Sequence, residues 1–504
     1  MNDPRTRDAK EASQDQELQQ ARRERIKVTV GLLLGPLAAA LLLWVEPPAG
    51  MPLAAWQVVA LTAWMAVWWV LEPVPIAATA LLPVALLPLL GVGTIQSVAV
   101  PYANPLIFLF LGGFMLAEAI QRWGLHRRIA MLVLRISGSR PDRLVAGFML
   151  ATAALSMWVS NTATAALMVP IGLSVLAMLE RQGGAGASHN MALTLLLGIA
   201  LAANIGGMGT LIGTPPNALL AGFMGDSYGI EIGFAQWMAV AVPPSLLLLI
   251  LAWWLLTRLV YPVERREMSG VADMLGEQAR DLGRMTRPEQ RVAAIFVLVA
   301  LAWITRPLLE RALGVELSDA GIAIIGALLL FVVPARWRQR QFLMDWDSAK
   351  HLPWGVLIMV GGGLSLGTAI EESGLAAVVA QGLGAFGSWP TWTMVAMVSL
   401  AVMLMSHVTS NTATAAAILP LTASLTVSLG ASPLLLSVPV AMAASCAFML
   451  PVATPPNAVV FASGKLSVAE MVRAGALISV AALVVITLVV FALAMPILGF
   501  GWGA

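Results

Sequence analysis

The sequence predicts an all-α integral membrane protein of about 11 transmembrane helices plus two re-entrant hairpins, arranged as two inverted-topology repeats. Three observations carry this. The chain of 504 residues is 59% hydrophobic and only 11% charged, with a mean hydropathy of +0.85, whereas soluble domains carry about 25% charged residues. Apolar stretches of spanning length recur along almost its whole length. One unit is also written twice: Ser160-Asn161-Thr162-Ala163-Thr164 returns 250 positions later as Ser410-Asn411-Thr412-Ala413-Thr414. The same offset aligns Gly112-Gly113 with Gly362-Gly363, Gly124-Leu125 with Gly374-Leu375, and Pro170 with Pro420. A further pair, Gly213-Thr214-Pro215-Pro216-Asn217 and Ala453-Thr454-Pro455-Pro456-Asn457, lies 240 apart and marks the same duplication.

Composition also excludes whole classes. A formal net charge of +2 gives no support to nucleic-acid binding. The single cysteine, Cys446, sits in an apolar run, which leaves no disulfide framework and no cysteine metal site; it reads as a small buried apolar residue.

Taken in order, residues 1–27 are polar and read as a cytoplasmic tail, with Arg22, Arg23, Arg25 and Lys27 just before the first apolar run. That run has no small-residue cleavage site and many others follow it, so 28–52 is expected to hold an uncleaved first helix. The first repeat, 53–262, opens with spans near 53–71, 74–91 and 104–120. Between 121 and 143, Arg122, Arg127, Arg128, Arg135, Arg140 and Arg143 alternate with Trp123, Leu125, Ile129, Leu132 and Val133. A basic amphipathic stretch of this kind lies flat at the cytoplasmic interface. Segment 143–181 carries its Ser-Asn-Thr motif at the centre and is basic at both ends, Arg143 and Arg181, which suits a hairpin opening inward better than a single crossing. Segment 189–223 is interrupted by Gly213-Thr214-Pro215-Pro216-Asn217, and 236–262 closes the repeat. A cytoplasmic linker, 263–291, follows within an arginine-rich stretch.

The second repeat, 292–498, gives spans near 292–310, 318–335 and 351–371 and an interfacial stretch near 374–386. An outward-opening hairpin at 391–429, a broken segment at 433–462 and a last span at 472–498 complete it. With the N-terminus inside, Arg336, Arg338, Arg340, Lys350 and Lys465 fall in the cytoplasm. The outer segments 46–52, 92–103, 224–235 and 372–390 then contain no Lys or Arg, and the C-terminus lies outside. This satisfies the positive-inside rule except at Arg306 and Arg311. Five crossings per repeat is an odd number, so the second copy enters from the opposite face. Inverted repeats of this kind build secondary transporters, with the site near mid-membrane between them.

The hairpins and broken segments carry an unusual polar interior. The first half supplies Ser156, Ser160, Asn161, Thr162, Thr164, Asn204, Thr214 and Asn217; the second supplies Ser406, Thr409, Ser410, Asn411, Thr412, Thr414, Thr454 and Asn457. Lys, Arg, Asp and Glu are absent from those interiors. Hairpin tips expose helix ends, whose N–H groups hold carboxylates and whose carbonyls hold small hard cations. Two successive prolines remove two N–H donors and leave carbonyl oxygens without partners, and a sodium ion accepts that excess by oxygen-ligand logic. An anionic substrate would then need co-bound cations and dipoles to offset its charge, which couples anion uptake to a cation.

A single Ser-Asn-Thr in a membrane helix is ordinarily interhelical glue; two copies in register, each followed by a Pro-Pro break, are not. Gly112-Gly113 and Gly361-Gly362-Gly363 read as close-packing positions, Glu118 as an interfacial carboxylate, and the tryptophans, among them Trp44, Trp64, Trp68 and Trp69, as interface and packing markers. His407, one turn before Asn411, reads as a satisfied polar residue near the site, with pH sensitivity as the alternative.

At these residues the chain resembles the divalent anion/sodium symporter family, which includes bacterial dicarboxylate carriers and animal sodium-coupled dicarboxylate, citrate and sulfate carriers. The resemblance covers roughly 28–498 and rests on both Ser-Asn-Thr motifs, both Thr-Pro-Pro-Asn breaks, and NPLIFLFLGGFMLAEAIQRWGLHRRIA. It implies a first sodium site from Ser156, Ser160, Asn161 and the backbone at Gly213. A second would come from Ser406, Thr409, Asn411 and the backbone at Ala453. By the same resemblance Asn161, Thr162, Asn411 and Thr412 hold the substrate carboxylates, helped by Thr214-Pro215 and Thr454-Pro455. Two Ser-Asn-Thr motifs are the pattern associated with dicarboxylates. A homodimer and an elevator-like movement are implied as well.

The expected function is therefore sodium-coupled symport of C4 dicarboxylates (succinate, malate, fumarate) across the inner membrane, with sodium co-transported. The alternatives are a sodium-independent dicarboxylate exchanger and a sulfate or citrate carrier on the same fold. An intramembrane enzyme is disfavoured because only His407 is ionisable near the motifs. A passive channel is disfavoured because hairpins from opposite sides close a path.

Overall fold

The computed structural model describes residues 28–181, 189–263, 270–382 and 389–501. The expected tail 1–27 lies outside the described residues, as do parts of the linker and of the second interfacial stretch. The described chain is almost entirely helical. Its first half runs α1 (Val28–Trp44), α2 (Leu53–Leu71), α3 (Ile76–Thr79), α4 (Leu82–Leu86), α5 (Ile95–Ala99), α6 (Pro105–Arg122), α7 (Leu125–Ser137), α8 (Pro141–Ser156), α9 (Asn161–Arg181), α10 (His189–Gly207), α11 (Pro215–Tyr228) and α12 (Phe234–Trp254). A linker helix, α13 (Val271–Asp281), precedes the second half. That half runs α14 (Arg287–Leu313), α15 (Asp319–Val332), β1 (Pro334–Arg336), β2 (Gln341–Phe342), α16 (Trp346–Ala349), α17 (Trp354–Glu372), α18 (Leu375–Gly382), α19 (Thr391–Ser406), α20 (Asn411–Ser428), α21 (Leu434–Ala444), α22 (Pro455–Phe461), α23 (Val468–Val489) and α24 (Met495–Leu498).

The helix starts are chemical. Asn104 caps α6 by accepting from the Leu106 amide, with Pro105 in the first turn where its missing N–H costs nothing. Thr286 and Glu289 form a capping box on α14, and Ser318 caps α15. Among the described residues eight helices are long and apolar enough to cross a membrane, fewer than the eleven spans expected. Several of the others are real but short. The stretch 74–91 is split into α3 and α4, with Pro83 in the first turn of α4 and Pro88 beyond its end, because proline removes the donor that would continue a helix. The arginine-rich linker contains α13, and a small antiparallel pair, β1–β2, follows α15; neither was expected.

From α6 to α12 and from α17 to α23 the two halves follow the same order of helices. At the 250-residue offset α8 and α19 begin and end at equivalent residues, α9 and α20 begin at Asn161 and Asn411, and both contain their proline, Pro170 and Pro420. Packing between halves is reciprocal: α10 lies on α22 and α21 on α11, while α9 lies on α22 and α20 on α11. Reciprocity of this kind is what a pseudo-twofold relation produces. The centre is built from α10, buried from Met191 to Gly207, and α21, buried throughout. A helix apolar on every side belongs in a core. By contrast only 22% of the spanning window of α14 is buried, which leaves its outer face for lipid.

The paired glycines are sites of close approach. A Cβ on Gly112 would stand 2.6 Å from the Ala323 backbone of α15, and one on Gly362 would stand 2.2 Å from the Ala80 carbonyl oxygen. Each half thus presses α6 or α17 onto the other half or its equivalent through bare backbone.

Charged residues sit at the ends. Arg122 pairs with Asp345, holding that carboxyl down at about 2, and Trp123 Nε1 donates to the Leu343 carbonyl at 2.8 Å. Arg128 pairs with Glu289 at 2.9 Å and donates to the carbonyls of Leu282 and Gly283, closing the C-terminus of α13. Arg140 and Arg258 both grip Asp142, at 3.1 and 3.0 Å, tying the base of α8 to the end of α12. Arg306, an exception to the charge rule, pairs with Asp319 at 3.3 Å and Glu310 at 3.7 Å, so its charge is locally offset.

Replacing Gly362 by Leu is expected to destabilise the protein by about 1–3 kcal/mol through overpacking. Thermal melting of the detergent-solubilised protein checks this, with Gly225→Ala, which faces open space, as the neutral control.

Candidate functional site

The motif residues converge where α8 stops and α9 starts, and again where α19 stops and α20 starts. In the first half the Ser156 hydroxyl lies 2.6 Å from Asn161 Oδ1 and 2.7 Å from the Ala203 carbonyl oxygen of α10. In the second half the Ser406 hydroxyl lies 2.7 Å from Asn411 Oδ1 and 2.6 Å from the Ala444 carbonyl oxygen of α21. Both serines are fully buried. A serine hydroxyl carries one proton, so with the asparagine oxygen facing it each cluster has three oxygens and a single side-chain hydrogen between them. An excess of lone pairs in a water-poor interior is satisfied by a hard cation. The donor set therefore fits sodium.

The broken segments close each cluster. Asn161 lies over Gly207, where a Cβ would stand 2.6 Å from Asn161 Oδ1, and Gly213 lies against the Gly207 carbonyl. Residues 208–214 are held open by Asn217, whose Nδ2 donates to the carbonyls of Thr210 (2.7 Å) and Met208 (3.1 Å) and lies 3.4 Å from that of Gly207. Trp237 Nε1 also donates to Met208, and the Thr210 hydroxyl donates to the Met157 carbonyl at the first hairpin tip. The second half repeats the clamp: Asn457 Nδ2 donates to the carbonyls of Ala447 (3.1 Å) and Leu450 (2.9 Å). In both halves carbonyls ten and seven residues before the asparagine lie within reach of its Nδ2, and in the first half so does the one nine before. Sequence reading placed Asn217 and Asn457 in the polar interior without a task; the signal was their fixed place in a motif written twice. The clamping geometry itself needs the fold.

The remaining predicted residues fall into two groups. Ser156, Asn161 and Gly213 gather in the first half and Ser406 and Asn411 in the second, while Ala453, Thr454 and Thr214 are buried. Ser160 and Thr162 are exposed at the first tip, with Ser160 Oγ accepting from the Ala163 amide at 3.3 Å. The Thr409 hydroxyl is turned to the Met405 carbonyl and to Thr414 Oγ1, away from the Ser406 cluster. Thr412 is buried, Pro215 is half-buried, and Pro455 is exposed. His407 Nδ1 bonds the Met403 carbonyl at 2.6 Å and its Nε2 is buried without a partner, so the residue is only half satisfied. The first tip is braced by aromatics absent from the expectations: Trp158 stacks near Phe234 and Trp303 and meets Phe296 edge-on at 4.9 Å.

The two halves touch at the site. Asn204 Nδ2 donates to Thr454 Oγ1 at 3.0 Å, and Cys446 Sγ lies 3.7 Å from Met208 Sδ. The helices α9 and α20 start at their motifs; α20 carries no side-chain cap, so its first amides are unpaired by side chains, whereas the Ala163 amide of α9 is taken by Ser160 Oγ. Oxygen clusters and helix N-termini stand together without a charged side chain.

Comparison with known proteins places the chain in a family. The profile of a family described as the sodium:sulfate symporter transmembrane region matches residues 27–499. The chain is 42% identical over 477 residues to the sodium-dependent dicarboxylate transporter SdcS of Staphylococcus saprophyticus, covering 93% of this chain and 92% of that one. The protein of the same name from Staphylococcus aureus gives the same identity and coverage. Among solved structures, the Alcanivorax borkumensis YdaH transporter superposes with a TM-score of 0.58 at 15% identity, covering 87% of this chain and 98% of its own. Neisseria gonorrhoeae MtrF gives 0.57 at 12% identity, covering 91% and 98%. These two likenesses speak to the fold alone.

Replacing Asn217 by Leu removes the amide that ties down the first broken segment, and each lost hydrogen bond is worth about 1 kcal/mol. Amide hydrogen exchange across 208–214 is expected to accelerate by at least about tenfold, while exchange across the second clamp, 447–454, stays at its wild-type rate.

Proposed function

The chain belongs to the sodium:sulfate symporter family, and on that premise we propose that it is a secondary active transporter coupling sodium to the uptake of C4 dicarboxylates such as succinate, malate and fumarate. The observation that carries the proposal is the pair of oxygen clusters on Ser156 and Ser406, each with three oxygens and one proton. Two equivalent cation sites flanking one junction give a dianion the countercharge that side chains do not supply. The names of the relatives from Staphylococcus, sodium-dependent dicarboxylate transporters, support the same substrate and ion.

In this reading Ser156, Ser160, Asn161 and the Gly213 backbone bind one sodium, and Ser406, Asn411 and the Ala453 backbone bind another, which Thr409 joins once its hydroxyl turns from the Met405 carbonyl and Thr414, where it stands in this structure. The side-chain amides and hydroxyls of Asn161, Thr162, Asn411 and Thr412, with Thr214-Pro215 and Thr454-Pro455, then meet the two carboxylates. Sodium binds first because it organises the asparagines: once Asn161 Oδ1 and Asn411 Oδ1 face a cation, each Nδ2 is left to donate to a carboxylate oxygen. The dianion without sodium would meet no compensating charge, which makes the coupling obligatory.

The finer architecture belongs to the same proposal. Eleven crossings and two re-entrant hairpins form inverted repeats, the pseudo-twofold lying in the membrane plane. The site moves across the plasma membrane by an elevator-type displacement within a homodimer, with the N-terminus cytoplasmic and the C-terminus outside.

Labelled succinate uptake into proteoliposomes tests the function. An inward sodium gradient should drive accumulation into vesicles lacking internal substrate, and an equal potassium gradient should not. Uptake that ignores sodium but requires internal dicarboxylate would instead mean an exchanger. Asn161→Ala and Asn411→Ala should each abolish uptake while the protein keeps its elution profile; wild-type uptake by both would remove the central role given to these residues.

A further inference from the structure

The two halves differ at one buried polar position. The residues before it are equivalent, since the Ala203 and Ala444 carbonyls receive the two serine hydroxyls. The next residue is Asn204 in the first half and Ser445 in the second. Both are buried, but Ser445 Oγ has no partner, whereas Asn204 reaches into the other half and donates Nδ2 to Thr454 Oγ1 at 3.0 Å. Asn204 is 0% exposed and its Oδ1 has no partner. As it stands the amide leaves Oδ1 and one of its two Nδ2 hydrogens without a partner; in the reverse sense it would leave both hydrogens so.

Thr454 is the residue on which this bond acts. It occupies the N-cap position of α22, yet its side chain makes no cap bond to the helix. Its oxygen already accepts from Asn204, so its single proton must leave in another direction. Among the described residues no protein acceptor takes it. The equivalent Thr214 also makes no cap bond and receives no donor of this kind. The two threonines that flank the junction are therefore chemically unlike: one is polarised as a donor, the other is free to turn.

We propose that Asn204 is a positioning residue for the substrate, holding the Thr454 hydroxyl as an outward donor so that this half-site takes only an acceptor oxygen, such as an ionised carboxylate. This rests on the reading above that Thr454 faces the substrate. The consequence is an asymmetric site. The end of the substrate at Thr454 must be an acceptor, while the end at Thr214 meets a hydroxyl that can donate or accept and so tolerates a hydroxyl or amide. Because the polarising amide comes from the first half, it also makes the second half-site complete only when the halves are docked.

A double-mutant cycle in sodium-driven proteoliposomes tests it. Asn204→Leu, which keeps bulk and removes the donor, is expected to raise the KM for succinate about tenfold, with kcat and the sodium dependence little changed. On a Thr454→Val background the same change should add nothing, because the group it orients is gone. Additive effects, or an unchanged KM in Asn204→Leu, would overturn the proposal. Should Asn204→Leu fail to fold, Asn204→Asp decides: a protonated Asp donates to Thr454 and an ionised one only accepts. Its KM relative to wild type must then climb from about pH 6 to about pH 9, and a flat ratio refutes the inference. The underlying reading fails separately, and visibly, if Thr454→Val alone leaves the succinate KM unchanged.

Discussion

A hydroxyl with one proton and two acceptors organises this protein. Ser156 and Ser406 each stand within 2.7 Å of an asparagine oxygen and a backbone carbonyl oxygen, and with each asparagine oxygen turned to the serine the single hydroxyl proton serves only one of the two acceptors. Such a cluster would be a defect in a core built only for stability. Its presence at equivalent places in both halves makes it a feature of the repeated unit. It also dictates the surrounding architecture. The serine must end one helix, the asparagine must start the next, and the carbonyl must come from the end of a third, so helix termini have to meet deep inside an apolar interior.

Helix ends inside such an interior are expensive unless their backbone groups find partners. The chain solves this with asparagine. Asn217 and Asn457 each sit in the first turn of a helix that opens on a Pro-Pro pair and reach back to the carbonyls of the segment just left. One side chain thus does for the broken segment what the missing intrahelical bonds would have done. The proline pair opens the new helix, where missing N–H groups cost nothing, and the asparagine in the same first turn ties down the carbonyls left behind, which is why Thr-Pro-Pro-Asn appears as a unit and why it appears twice.

This explains how far the sequence alone could be read. The duplication, the helical class, the hairpin arms and the amphipathic α7 were legible because each leaves a periodic or repeated trace. The bounds of α8 and α19 follow from the motif that ends them. The splitting of 74–91 was also written there, in Pro83 and Pro88, but hydropathy outweighed the prolines in the reading. What could not be read is what depends on contacts between halves: the Asn204 to Thr454 bond spans 250 positions, and the aromatic brace on Trp158 gathers residues from three separate segments. The turn of Thr409 away from the Ser406 cluster is likewise a rotamer choice within a helix end, which residue type does not specify.

The departures from symmetry carry as much function as the symmetry. Exact twins would present the junction in the same way to both sides of a membrane, and a path open equally to both sides cannot sustain a gradient. Here equivalent positions have unlike surroundings. Trp158 is packed against Phe234, Phe296 and Trp303, while its counterpart Val408 is 67% exposed. Thr162 is exposed and its counterpart Thr412 is buried. The local geometry of the two clusters is nonetheless the same to within 0.1 Å. A duplicated unit that keeps its internal chemistry while exchanging its environment can bind the same ions and substrate in either setting. On the proposed function, sidedness then resides in what surrounds the tips, and binding in the clusters that do not change.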